Sequence, residues 1–378
     1  MEGYKQVAHQ AAGHPGALVD SSSGELFAKL SCQQEIDFYT QVSAKELTDD
    51  EGHEYLGSSL YDWMPKFLGR LDQGITKDLE NSSMVNQREL EQAKQDLEAM
   101  SIGEDSSSSN SPMPIGDKPY VVLQNLLFGF NKPSIIDIKL GAKLTDPKDP
   151  TISEDKHQRL AKVSTTTTSG SWNIRICGMK TFDNYPQATE AEYDQIVNDQ
   201  DVSQVEDPEA PHKNYVVFNK FFGRNLTTDN IKLAFRLFFF ENQLDHVRQV
   251  QVLQKMIDRL QVLHNCLIDT EARMFSSSIF MVFENDLDRW NNKEEGYEDP
   301  LIREDFEDSD DDDEEEKEEI SRNKGDTAPL SSLNMIDFAH SRLAPKKGCD
   351  DNVLDGVENL LKIFEELLND SHSFCKSG

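Results

Sequence analysis

In the run Lys132-Pro133-Ser134-Ile135-Ile136-Asp137-Ile138-Lys139-Leu140-Gly141, an acid and a base interrupt an apolar, β-branched stretch. Successive side chains of a strand alternate between its faces, so Asp137 and Lys139 project together while Ile136, Ile138 and Leu140 pack the other way. Such a pair either braces a sheet or works on a charged group in transit. A second such place is Met335-Ile336-Asp337-Phe338-Ala339-His340, an apolar strand ending in a carboxylate that can reach a metal ion between two lobes. In a third, Lys29 closes a strand and Glu35 opens the next helix, an arrangement in which a helix carboxylate locks a phosphate-binding lysine. Phosphoryl transfer needs these parts: a lysine on the nucleotide phosphates, a carboxylate for magnesium, and a group that positions the attacking hydroxyl.

The pattern Pro-x-x-x-Asp-x-Lys-x-Gly, carried here by Pro133, Asp137, Lys139 and Gly141, resembles the signature of the inositol polyphosphate kinase family. The Asp-Phe-Ala-His of residues 337–340 resembles that family's metal motif, and His9-Gln10-Ala11-Ala12-Gly13-His14 is similar to its N-terminal opening. The resemblance implies ATP and Mg2+ as cofactors, Lys29 on the ATP phosphates, Asp337 as the metal ligand and His340 on the inositol substrate. Asp137 and Lys139 are then the catalytic pair, orienting or deprotonating the hydroxyl and neutralising the transferred phosphate. Ser276-Ser277-Ser278-Ile279-Phe280 resembles the family's Ser-Leu-Leu strand and departs from it at Ile279 and Phe280, which keeps an apolar, structural strand. Val122-Leu123-Gln124-Asn125-Leu126 resembles the hinge that offers groups to adenine. Gln124 replaces a frequent glutamate there, yet its carbonyl still accepts a hydrogen bond, and the main-chain contact at Leu126 is independent of residue type.

On the substrate side, residues 132–180 hold nine basic and five acidic side chains, a local +4 in a chain of net charge −32. A cationic patch against that background implies an anionic ligand. Within it the spacing predicts a helix over 154–163 carrying Lys156, Arg159 and Lys162 three residues apart, a clamp for polyphosphate or a solvated basic face. Arg342, Lys346 and Lys347 stand close behind Asp337 and are expected to add charge to the same pocket. Only about thirty residues separate Gly141 from the next strand, so the substrate element is short and the pocket permissive. In this the chain resembles the multikinase branch of the family, as do Arg175-Ile176-Cys177-Gly178-Met179-Lys180 and Asn219-Lys220-Phe221-Phe222-Gly223-Arg224, which resemble its fungal members. That resemblance implies phosphorylation of inositol tris- and tetrakisphosphates toward the pentakisphosphate.

The elements that position these residues follow from periodicity. Strands are expected at 24–30, 120–127, 134–140, 174–180, 215–221, 279–284 and 333–338, and a helix at 33–41. Two long amphipathic helices are marked by Leu244, Val247, Val250, Leu253, Ile257, Leu260 and Leu263, and by Val353, Val357, Leu360, Leu361, Phe364, Leu367 and Leu368, scaffolding with no catalytic part. A strand-rich first part and a helix-bearing second part give an α+β chain of two lobes. The resemblance makes this the inositol polyphosphate kinase fold, related to protein-kinase and ATP-grasp architecture, with an ATP-binding N-lobe over 1–126 and a catalytic, substrate-binding C-lobe over 127–378. Polar stretches at about 78–116, 187–212 and 291–329 read as surface insertions.

The 378 residues suffice for two packed lobes. Five scattered cysteines with no Cys-x-x-Cys spacing are expected as reduced thiols. No stretch is long and apolar enough to span a bilayer, and the first residues lack an apolar leader, so nucleus and cytoplasm are the expected compartments. The acidity argues against direct nucleic-acid binding. Much of it sits in 304–319, thirteen acids and one lysine, where Ser309 precedes four aspartates and suits an acid-directed protein kinase. By resemblance to fungal multikinases, this tract implies nuclear transcription-factor partners in an arginine-responsive complex, and a rival reading makes the chain mainly an acidic, non-catalytic scaffold. A protein kinase is disfavoured, since no His-Arg-Asp-x-x-x-x-Asn or Asp-Phe-Gly set is present.

Overall fold

The computed structural model describes residues 4–7, 16–48, 58–71, 119–150, 152–182, 193, 195–207, 210–294, 296–303 and 328–374. Two antiparallel sheets organise it. The first has the order β1-β2-β3-β5-β4, built from β1 (Tyr4–Gln6), β2 (Leu18–Asp20), β3 (Leu26–Leu30), β4 (Phe67–Leu71) and β5 (Tyr120–Gln124). With it go helices α1 (Gln33–Thr48) and α2 (Leu60–Trp63). The second sheet has the order β12-β11-β6-β7-β9-β8. Its strands are β6 (Pro133–Leu140), β7 (Ile174–Phe182), β8 (Val202–Asp207), β9 (Ala210–Phe218), β11 (Ser278–Glu284) and β12 (Ser331–Ile336), and a separate ribbon pairs β10 (Ala272–Met274) with β13 (Ser341–Leu343).

The helices of the second part are α3 (Glu154–Thr165), α4 (Thr168–Trp172), α5 (Lys220–Asn225), α6 (Ile231–Phe240), α7 (His246–Asp269), α8 (Leu287–Asn291) and α9 (Asp351–Phe374). The stripes read from the sequence on the two long helices are core: Leu253, Leu260, Leu263, Val357, Leu360 and Phe364 bury against Ile136, Ile138 and Leu140 of β6. Deleting one such side chain to alanine costs about 2–5 kcal/mol in general. Val247 departs from the expected stripe and is 66% exposed. On the other face of β6, Ile135 packs with Val282, Leu127, Phe130 and Phe280 in a small separate cluster. The β6 alternation therefore splits as expected, one face sealed by helices and one open to chemistry.

Two features set the geometry of that open face. Opposite Asp137 the β6–β7 register slips: Asp137 pairs Gly178 but Ile138 pairs Ile176, so Cys177 is one residue in excess. Such a bulge bends the strand and changes which residues share a face. After β6 the chain turns at Gly141 with φ +88°, where an added Cβ would sit 2.1 Å from Asn352 Nδ2. Asn352, at the start of α9, holds this turn by accepting from the Lys143 N–H and donating to its carbonyl. Only glycine combines that φ with that close approach.

Several boundaries differ from expectation. The strand expected over 120–127 stops at Gln124 because Asn125 opens a turn, its side chain accepting from the Leu127 N–H. The strand expected over 215–221 begins earlier and ends at Phe218, since Asn219 caps α5 through the N–H groups of Phe221 and Phe222. The stretch 187–212 is not wholly an insertion: β8 lies in it, and Tyr193 and Ile196 are buried. The stretch 291–329 begins as folded chain. Asp299 accepts from the Leu330 N–H and the Ser331 hydroxyl, Pro300 O accepts from the buried Arg259, and Arg303 donates to Met64 O at 2.6 Å over the ring of Tyr61. Residues 8–15, 72–118 and 304–327 lie outside the described residues, and with them the His9–His14 opening, the 78–116 insertion, Ser309 and the acidic tract. Cys32, Cys177, Cys266 and Cys349 are free thiols, and no helix among the described residues is long and apolar enough to cross a membrane.

Candidate active site

The site forms where β3 and α1 meet the open face of the second sheet. Lys29, near the end of β3, reaches 308 residues along the chain to Asp337: Nζ lies 2.7 Å from Asp337 Oδ1 and 3.0 Å from Glu35 Oε1. Glu35 is fixed on both oxygens. Oε2 accepts from Ser31 Oγ at 2.5 Å, and Oε1 also accepts from the Phe338 N–H at 3.1 Å. Phe338 is fully buried, stacked on Phe38 at 5.1 Å and edge-on to Tyr39 at 5.4 Å. Asp337 itself lies just past the end of β12 with φ +65°, a left-handed conformation unusual for a non-glycine residue, with its side chain 41% exposed. The Asp-Phe-Ala-His segment is thus an apolar plug that carries a carboxylate into the cleft.

Electrostatics couples these groups. Burial works against the Lys29 ammonium, but Asp337 and Glu35 outweigh it and hold its pKa well above the lysine range. Asp137 is 6% exposed; burial, reinforced by the nearby Asp337 carboxylate, pushes it up to about 6 against the pull of Lys139. Its Oδ1 has no hydrogen-bond partner among the described residues. Lys139 donates to the carbonyl of Ser276 at 3.0 Å. Ser276 turns that carbonyl inward by adopting φ +58°, and its own hydroxyl donates to Leu144 O. Burial and the charge of Lys156 depress the pKa of His340, which keeps its imidazole neutral near pH 7 and puts Lys156 within electrostatic reach of it.

Two carboxylates facing one space, one of them with a buried, unpartnered oxygen, suit a hard divalent cation, which prefers oxygen ligands. The hinge suits a purine. Gln124 Oε1 is buried with no hydrogen-bond partner, and Leu126 uses neither backbone group in a backbone bond among the described residues. Leu127, next in the chain to Leu126, packs with Ile135, Val282, Phe130 and Phe280 in an apolar bed.

Of the residues singled out in the sequence, Lys29, Glu35, Asp137, Lys139, Asp337, His340 and Lys156 interact with one another, and Gln124 and Leu126 adjoin the apolar bed. The basic triad of α3 does not act as one face. Steps of three residues rotate each position about 60° from the last, so Lys156 and Lys162 stand about 120° apart; Lys156 and Arg159 are half-buried and Lys162 exposed. Arg342 does not add free charge to the pocket, because its Nε donates to Asp146 Oδ2 at 2.8 Å. Lys346 and Lys347 are exposed beyond it.

Two residues were missed. Arg175 lies directly across from Lys139, is 8% exposed, and leaves Nη1 without a hydrogen-bond partner among the described residues. Its signal in the sequence was a cation within a largely apolar strand. Ser276 acts through its backbone, and nothing in its residue type announces that.

A lysine locked by a helix carboxylate, an acid and base on one strand and a second acid across the cleft define a two-lobed, nucleotide-dependent phosphotransferase. The chain belongs to the inositol polyphosphate kinase family, whose family model matches residues 120–365. It is 36% identical over 376 residues to the inositol polyphosphate multikinase of Saccharomyces cerevisiae, covering 96% of this chain and 98% of that protein. It is 23% identical over 359 residues to the inositol polyphosphate multikinase of Schizosaccharomyces pombe, covering 95% and 96%. Among solved structures, the S. cerevisiae inositol phosphate multikinase Ipk2 in complex with ADP and Mn2+ superposes with a TM-score of 0.62 at 32% identity, covering 91% of this chain and all of that one.

Proposed function

We propose that this chain is an ATP-dependent inositol polyphosphate multikinase that phosphorylates ring hydroxyls of inositol tris- and tetrakisphosphates toward the pentakisphosphate. The observation that carries the reading is the convergence of Lys29, Glu35 and Asp337 with Asp137 and Lys139 on one cleft. In this reading Gln124 and Leu126 hold adenine over the apolar bed, and Lys29, braced by Glu35, neutralises nucleotide phosphate. Asp337 would hold Mg2+, which when bound supplies charge neutralisation at the phosphates. Asp137 accepts the proton of the attacking hydroxyl; with a pKa of about 6 it is ionised near neutrality yet basic enough to serve. Lys139, tied to Ser276 O, offers its charge to the phosphoryl group in transit. Lys156, Arg159 and Arg175 bind substrate phosphates, with His340 neutral among them and Lys162 at the rim.

The test is phosphate transfer from ATP over a panel of inositol phosphates, with products resolved by isomer. Accumulation of tetrakis- and pentakisphosphates from a trisphosphate supports the reading, and transfer to a single isomer at one position refutes the multikinase assignment. The acidic tract supports a second, compatible function: salt-sensitive association with basic nuclear transcription factors. Capture of such factors by the full chain but not by one lacking 304–327, together with nuclear localisation, is its test.

A further inference from the structure

Lys29 has a second place in this site besides the nucleotide phosphates. Its ammonium lies 2.7 Å from Oδ1 of Asp337, the residue that the proposed reading gives to the metal. The remaining members of the cluster are fixed. Glu35 is held by Ser31 and by the Phe338 N–H, and the backbone around Asp337 is locked by the buried Phe338 ring. Lys29 alone has a flexible four-carbon stem. A divalent ion sits about 2.0–2.6 Å from a carboxylate oxygen, so on Oδ1 it would nearly touch the ammonium and on Oδ2 it would still lie only a few ångström away. At that separation the two cations repel, and the one on the flexible stem gives way.

We propose that Lys29 is the resident counter-ion of the metal position: it competes with free divalent metal for Asp337 and releases it when a nucleotide brings phosphate oxygens to take the ammonium. Glu35, 3.0 Å from Nζ, keeps Lys29 tethered during the exchange. The consequence runs against the usual expectation for an active-site lysine. Its removal strengthens metal binding to the nucleotide-free enzyme while it weakens nucleotide binding, and the native enzyme favours metal that arrives already on nucleotide.

The inference rests on Asp337 being a metal ligand, and one experiment separates the two. Mn2+ is titrated into the full chain without nucleotide and followed by electron paramagnetic resonance, for the native protein and for Lys29→Met, Lys29→Gln, Lys29→Arg and Asp337→Asn. The acidic tract is common to all, so the Asp337-dependent class of sites is what Asp337→Asn removes. Lys29→Met and Lys29→Gln should tighten that class by about tenfold or more, because a like charge has been removed from beside the ion, whereas Lys29→Arg, which keeps the charge, should stay close to native. ADP affinity should fall in both neutral variants. Unchanged or weaker Mn2+ binding in a folded Lys29→Met or Lys29→Gln protein overturns the proposal. If Asp337→Asn leaves Mn2+ binding untouched, it is the assignment of the ligand that fails instead.

Discussion

Asp137→Asn should inactivate the enzyme and stabilise it, and the stabilisation should depend on pH in a defined way. In the fold Asp137 titrates at about 6, against 3.8 for an unperturbed aspartate, chiefly because it is buried. Between those two values the folded chain holds a proton that the unfolded chain has lost, so ionising Asp137 makes the fold less stable as pH rises. Each tenfold change in proton affinity is worth about 1.4 kcal/mol, so the full penalty is about 3 kcal/mol above pH 7. Roughly half of it is already present at pH 5 and the remainder develops between pH 5 and 7. Asparagine is nearly isosteric and cannot ionise. Relative to native, the variant should therefore gain on the order of 1 kcal/mol in going from pH 5 to pH 8, roughly 1–2 °C in Tm for a chain of this size. The sequence pI of about 4.6 makes pH 5 a practical lower limit. Urea unfolding of both proteins at pH 5, 6, 7 and 8 measures the difference, and kcat measured alongside should fall by about a hundredfold or more. A stability difference that is flat with pH, or that favours native as pH rises, would refute the argument that burial holds this carboxylate poised for proton transfer.

Four further outcomes are expected. Asp337→Asn and Lys139→Ala should each lower kcat by about a hundredfold or more with circular dichroism unchanged; native turnover in either purified variant removes that residue from the mechanism. Lys156→Ala should raise KM for inositol phosphate and leave KM for ATP unchanged, Arg159→Ala should do so less and Lys162→Ala least; a shift in the ATP constant reassigns α3 to the nucleotide side. Ser276→Gly and Ser276→Asn accept the left-handed backbone and should keep kcat within a few fold, whereas Ser276→Val should lower it roughly tenfold; equal activities across the series show that the strained carbonyl does not hold Lys139. Deletion of 304–327 should spare kinase activity, since the free energy of closing a loop changes by only about 0.6 kcal/mol per twofold change in its length, while a deletion that also takes Asp299 and Arg303 should lower Tm, because those residues tie the segment to α7 and α2; equal stability of the two deletions contradicts that anchoring.

What the sequence made legible was whatever depends on side-chain period. The Asp-x-Lys alternation, the two amphipathic helices and the strand-to-helix step from Lys29 to Glu35 are local patterns, and each is present as expected. Less legible was whatever depends on backbone conformation or on distant partners. Ser276 contributes a carbonyl made available by φ +58°. Asp299 and Pro300 read as the start of a polar insertion because their partner, Arg259, lies on a helix whose face looked purely apolar. Arg342 was expected to be free because its counter-ion, Asp146, is 196 residues away in the chain.

The single extra residue at Cys177 has a consequence for how tolerant β7 can be to change in length. Positions 175 and 180 are an odd number of steps apart, so in a regular strand they would point to opposite sides. The slip at Cys177 brings Arg175 opposite Lys139 and Lys180 opposite Ile135, both on the side of the sheet that carries Asp137. Loss of the one residue in excess would put Arg175 and Lys180 an even number of steps apart and keep every one of these pairs, so a regular strand would still carry both cations on that side. Gain of one residue in the 176–178 stretch does the opposite: with a single bulge it turns one of the two cations into the helix-packed core, a reversal of sidedness that no compensating side chain can restore.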